Sequence, residues 1–177
     1  MDFKNYLFVG VDTHKNQHTA VAMDSFHNSL GYTTTANDPQ SYDFFLKKLK
    51  SFAAQNDTKL VFGLEDTQGL GSSLTQWLLD RGFTVKEVNP TFTKRERKHS
   101  PNPDKSDKED AKAIAKALFS NWDELPTTTQ NSNFRALREL NNHRNNLVNH
   151  RTEIKNRLHN LLKKQFPNYK EFFSDPF

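Results

Sequence analysis

The sequence predicts an α/β domain, a mixed sheet flanked by helices, followed by one long basic helix. Three observations carry this. Three β-prone segments open the chain before any helical pattern begins. Strands then alternate with segments of helical period. Beyond residue 133, leucine or isoleucine recurs every seven residues in a run rich in Arg and Lys. Strands first, then strands alternating with helices, require a sheet with helices packed on it.

Residues 6–12 (YLFVGVD) are apolar and β-prone and predict a buried strand. Residues 18–25 and 30–35 predict two more, with a turn at 26–29, which makes a three-stranded meander. Asp38 before Pro39 is a helix start, an N-cap followed by Pro at the first position. That helix is expected to reach about Gln55 and to bury Phe44, Phe45, Leu49 and Phe52. Residues 59–65 (KLVFGLE) predict another buried strand, and 71–81 a helix stopped by Gly82. A short strand follows at 84–88. Residues 89–103 show no clear period, with Pro90, Pro101 and Pro103 as breakers, and read as irregular. A helix is expected from Asp107 to Phe119. A meander followed by β-α-β is the order of ribonuclease H-like domains.

Residues 125–132 (LPTTTQNS) read as a polar linker, which divides the chain into a domain over 1–125 and a helical segment over 126–177. From Phe134 to about Phe166 the pattern is one helix. Leu140, Leu147, Ile154 and Leu161 form one heptad seam, and Leu137, Arg144, Arg151 and Leu158 the other. With two Arg in it, the second seam is poorly suited to a dry two-stranded contact. The stripe should be covered by a returning helix or by a second copy, giving a homodimer or higher oligomer. Pro167 ends the helix.

The 177 residues carry a net charge of +4, unevenly placed. Residues 1–133 hold 16 Lys/Arg against 17 Asp/Glu, whereas 134–165 hold 8 against 2. A basic helix beside a near-neutral body fits a polyanionic partner, and also fits a plain solvated face. The absence of Cys excludes disulfides and thiolate metal sites. No apolar run approaches the ~20 residues of a membrane span, and no leader opens the chain, so a cytoplasmic protein is expected. An ATPase of the actin and sugar-kinase type would need Gly-rich phosphate loops, but the chain has 6 Gly, with residues 69–73 (GLGSS) the weak candidate.

The chemistry lies in the acids. Asp12 ends the first strand, its face fixed by alternation with Phe8 and Gly10. On position alone it also reads as a turn opener. Glu65 ends a later strand, although Glu is a poor strand former. Either Glu65 or Asp66 could instead begin the next loop. Ser106-Asp107-Lys108-Glu109 has capping-box form. Asp107 and Asp110 then share one helix face, which continues through the apolar Ala111, Ile114 and Leu118. First-turn acids also simply complement the helix dipole. Together, two strand ends and one helix start bring Asp12, Glu65, Asp107 and Asp110 to one sheet edge. Four converging carboxylates repel unless cations neutralise them, and hard oxygen ligands select Mg²⁺ or Mn²⁺. Paired ions of this kind suit phosphodiester chemistry. His14 and His18, four apart across a turn, read as structural or phosphate-facing.

These residues resemble a known family. Gly10-Val11-Asp12-Thr13-His14-Lys15 is similar to the first motif of the insertion-sequence 110 transposases, also called DEDD transposases. Lys105-Ser106-Asp107-Lys108-Glu109-Asp110-Ala111 resembles their Lys-Thr-Asp-x-x-Asp-Ala motif, with Ser for Thr. Glu65 matches the second acid, with Asp66 its alternative and Asp104 a competitor for the third, and Leu137–Leu140 through Lys155–Leu158 resembles the helix behind the catalytic domain. The resemblance implies a domain like that of the Holliday-junction resolvase RuvC, with an Asp12, Glu65, Asp107, Asp110 tetrad. It implies a recombinase of prokaryotic cells that pairs with DNA and a structured bridge RNA. It also implies a second domain, bearing a catalytic serine, that this sequence does not contain. Lys15, Lys94, Arg95, Arg97, Lys98 and Lys105 are then expected near DNA phosphates, and Arg138, Arg144, Arg151, Lys155 and Arg157 on the long helix near RNA or DNA.

Overall fold

The computed structural model describes residues 3–53, 58–65, 69–98, 106–129 and 132–172, with the backbone alone at 132–135, 138 and 172. It comprises two compact units, Met1–Gln130 and Asn131–Phe177.

In the first unit, β1 (Tyr6–Thr13), β2 (Gln17–Met23) and β3 (Ser29–Ala36) form the opening meander. At the β2–β3 tip, Asp24 accepts from the backbone N–H groups of Phe26 and Asn28, and His27 takes a positive φ of 67°. After α1 (Tyr42–Lys50), β4 (Lys59–Glu65) returns to pair in parallel with β1. Then α2 (Ser72–Asp80) leads to β5 (Thr84–Glu87), parallel to β4. The strand order is β3-β2-β1-β4-β5, and β2 alone runs against the others. That arrangement is the ribonuclease H-like sheet. After β5 come α3 (Pro90–Lys98) and α4 (Asp107–Ser120).

Strand alternation sorts two cores. Leu7, Val9 and Val11 face one side, with Phe45, Leu49, Leu74 and Leu78 from α1 and α2. Phe8, Met23 and Val61 face the other, with Ile114 and Leu118 of α4.

Two expectations need correction here. The helix begun at Asp38 opens as a 3-10 turn, Pro39–Ser41, and α1 stops at Lys50, short of Gln55. The N–H groups of Phe52 and Ala53 bond three residues back, tightening the chain out of the helix. The Phe52 ring packs where Gly31 has no side chain. Phe44 is 73% exposed, because Tyr42, Phe45, Leu46 and Leu49 fill the core-facing stripe and Phe44 lies off it. The segment expected to be irregular after residue 88 starts with α3. Asn89 caps it by accepting from the N–H of Thr91, with Pro90 at the first position. That is the signal already used at Asp38-Pro39. It was masked by a helix that buries little besides Thr93. Pro101 and Pro103 lie outside the described residues.

The second unit is α5 (Ser132–Gln165), ended before Pro167, and the short α6 (Tyr169–Phe172). Tyr169 is buried, with its hydroxyl bonded to His159 Nδ1. Leu137, Leu140, Leu147, Ile154 and Leu161 are each more than half exposed.

Candidate metal centre

The site begins as a repeated pattern on the two central strands. In register, Phe8 stands beside Val61, Gly10 beside Gly63 and Asp12 beside Glu65. Each strand thus offers a large apolar residue, a glycine and an acid on the face that α4 covers. The glycines let the helix come close. A Cβ on Gly10 would stand 2.2 Å from the Ala111 carbonyl oxygen and the Ala115 nitrogen. With α4 seated there, its first turn lies over the acid end of β1.

Ser106 caps that turn, its hydroxyl accepting from the Glu109 N–H at 3.3 Å. The cap fixes where Asp107 and Asp110 emerge. His14 Nε2 lies 3.1 Å from Asp12 Oδ2 and 3.5 Å from Asp107 Oδ1, bridging the strand acid and the helix acid. Among the described residues, the ligand-competent atoms of Asp12, His14 and Asp107 all fall within 4.8 Å of one another. Arg97 of α3 pairs with Asp110 at 2.6 Å. The Asp12 side chain is 16% exposed, that of Asp107 48%. Burial, foremost, pushes the Asp12 carboxyl above the usual carboxylate range. His14 opposes this shift, and Asp110 and Asp107 add to it.

The loops around the site are tied together. Thr13 donates its hydroxyl to the Glu65 carbonyl at 2.9 Å, joining the two strand ends. Asn37 donates from its backbone N–H to Asn16 and from Nδ2 to the carbonyls of Lys15 and Leu70. Tyr42 donates to Asn37 Oδ1 at 2.8 Å. One buried tyrosine and one asparagine therefore hold both the turn after Asp12 and the loop beyond Glu65.

Of the expected tetrad, Asp12, Asp107 and Asp110 lie together. Glu65 is beside Asp12 by strand register, outside the Asp12–His14–Asp107 group of ligand atoms. Asp66, the alternative second acid, lies outside the described residues, as do Asp104 and Lys105. His14 belongs to the site, whereas His18 is buried on the opposite face beside Tyr42. The signal for His14 was present in the sequence. Asp12 and His14 are two apart at a strand end, and alternate residues share a side.

Lys15, Lys94, Arg95 and Lys98 are exposed, as are Arg144, Arg151 and Arg157 on α5, where Arg157 pairs with Glu153. Lys155 is half-buried, and the Arg138 side chain lies outside the described residues. No described helix is long and apolar enough to cross a membrane.

The family model of the DEDD transposases of the insertion-sequence 110 type, described as a transposase, matches residues 9–167. No curated protein matches the sequence. Among solved structures, the chain is similar to Thermus thermophilus RuvC in complex with Holliday junction substrate. The TM-score is 0.46 at 12% identity, covering 70% of this chain and 99% of that one. A second Thermus thermophilus RuvC structure gives 0.47 at 13% identity, covering 69% and 99%.

Proposed function

This chain belongs to the DEDD transposases of the insertion-sequence 110 type, and we propose that it is the metal-binding catalytic domain of a DNA recombinase directed by a guide RNA. The observation that carries the proposal is the meeting of Asp12 and Asp107, from a strand end and a helix start, around one point.

The donor set fits a divalent cation. Two carboxylates from separate elements converge, a third is near enough to raise the proton affinity of the first, and a ring nitrogen lies between them. Asp12 and Asp107 would hold Mg²⁺ or Mn²⁺, with Asp110 and Glu65 completing the tetrad. The cation would supply Lewis-acid polarisation of a phosphate oxygen and a low-pKa water at the scissile bond. Arg97 pairs with Asp110 beside the centre, and Lys15, Lys94, Arg95, Lys98 and Lys105 position the DNA backbone. On the helical segment, Arg138, Arg144, Arg151, Lys155 and Arg157 bind the guide RNA or DNA, and the leucine stripe joins two copies. We divide the chain at 125/126, with recombination completed by a separate serine-bearing domain in the cytoplasm of a prokaryotic cell.

The test is Mn²⁺ titration by calorimetry, with a short DNA duplex present, on this chain and on Asp12→Ala and Asp107→Ala variants. Binding that both substitutions abolish, with circular dichroism unchanged, supports one shared centre. Absence of binding, or binding indifferent to both changes, leaves a non-catalytic nucleic-acid scaffold in which the acids only shape the fold.

A further inference from the structure

We infer that His14 is a ligand of the metal centre through Nε2, and that this nitrogen tips the site toward Mn²⁺ over Mg²⁺. The inference rests on the metal-centre reading and adds to it a residue outside the acidic tetrad.

Geometry comes first. With bonds of about 2.1 Å, neighbouring ligands of an octahedral ion stand about 3.0 Å apart and opposite ones about 4.2 Å. His14 Nε2 is 3.1 Å from Asp12 Oδ2 and 3.5 Å from Asp107 Oδ1, on the scale of adjacent ligands. The ring therefore needs little movement to share an ion with both acids. Its backbone is held in place. The His14 N–H donates to the Gln17 carbonyl at 3.1 Å, and Asn37 pins the two residues that follow, Lys15 and Asn16. The ring itself is half exposed and fills no core position, so packing does not account for its placement.

Ligand chemistry then sets the preference. Mg²⁺ takes oxygen ligands almost exclusively and keeps several waters. Imidazole nitrogen suits first-row transition ions, foremost Zn²⁺, Fe²⁺ and Ni²⁺, while carboxylate and water suit Mn²⁺ and Mg²⁺ alike. Of these last two, Mn²⁺ is the transition ion and the softer, and so the one that better accepts a ring nitrogen among its oxygens. A mixed set of Asp12, His14 and Asp107 thus discriminates where an all-carboxylate site would not.

The experiment is pulsed electron paramagnetic resonance of the Mn²⁺-loaded chain, with a DNA duplex present, read for ¹⁴N coupling to the ion. Calorimetric Mn²⁺ and Mg²⁺ affinities of the chain and of His14→Gln accompany it. Nitrogen coupling is expected in the parent chain and absent in His14→Gln. Mn²⁺ affinity should fall by at least about tenfold, the scale on which metal sites weaken when even a supporting group is lost. Mg²⁺ affinity should fall less. A partly exposed turn residue is unlike a core position, and circular dichroism checks that the variant folds. Bound Mn²⁺ without nitrogen coupling, or coupling that survives in His14→Gln, overturns the inference and leaves the acidic centre standing. If the parent chain binds no Mn²⁺ at all, the acidic centre falls and His14 with it.

Discussion

At Asp12 a largely buried carboxylate faces Asp107 and Asp110, and burial above all holds its proton more tightly than in the unfolded chain. The linkage has a definite sign. Between the ordinary carboxylate range and the raised value, the folded state binds more protons than the unfolded one, so stability falls as pH rises. The contribution is complete below the unfolded pKa and lost as pH passes the folded one. Above the raised value, ionisation of a metal-free Asp12 therefore weakens the fold. Asp12→Asn should raise the thermal midpoint of the metal-free chain at pH 7, and Mn²⁺ should stabilise the parent but not the variant. Thermal melts from about pH 4 to 7, where carboxylates titrate, with and without Mn²⁺, read both effects. A variant melting below the metal-free parent at neutral pH would sink the argument. That Asp12, Asp107 and Asp110 come together was legible because each combines an acid with a place where an element begins or ends. The place of His14 among them was not. His18, four residues on, lies past the β1–β2 turn, where its pairing with Thr13 puts it on the face opposite Asp12, beside Tyr42.

Between elements, the site depends on how closely α4 approaches β1. The two central glycines differ in what a methyl group would meet. At Gly10 it meets the backbone of α4 at 2.2 Å, and backbone does not step aside. At Gly63 it meets the side chains of Val88 and Leu118 at 3.0–3.2 Å, which can shift by a few tenths of an ångström. Overpacking a core costs about 1–3 kcal/mol, and lifting a whole helix belongs at or above the top of that range. Gly10→Ala should lower stability by roughly 3 kcal/mol in urea unfolding and abolish Mn²⁺ binding, because Asp107 and Asp110 ride on the displaced helix. Gly63→Ala should be milder on both counts. Equal effects would show that helix approach does not set the centre. The strands, and α4 with its cap, were readable because period and capping agree there. The end of α1 was not, since Phe52 leaves the helix to fill the space at Gly31, a contact between distant segments. For α3 the Asn89-Pro90 start outweighs a sequence with almost no apolar stripe to announce it.

For the whole molecule, the division of charge and the division of structure fall close together. The near-neutral first 133 residues contain the acidic centre, while the basic excess lies on α5, which belongs to the second compact unit. The heptad stripe on α5 was legible from spacing alone. Its partner was not, because a heptad defines a seam and leaves open what fills it. Leu140, Leu147, Ile154 and Leu161 each keep more than half of their surface in water, and burying such a side chain is worth about 1.5–3 kcal/mol. Four of them at seven-residue spacing favour self-association, and Arg144 and Arg151, with long stems that can carry their charges to the rim of a contact, need not prevent it. Sedimentation velocity should therefore find the chain dimeric or larger, and Leu147→Asp with Ile154→Asp should make it monomeric. The same double variant should leave Mn²⁺ binding intact, since the acids and His14 all lie in the first unit. A parent chain that sediments as a monomer at every concentration would remove self-association from the proposed function. A double variant that loses Mn²⁺ binding would instead show that the centre depends on pairing of the helical segment.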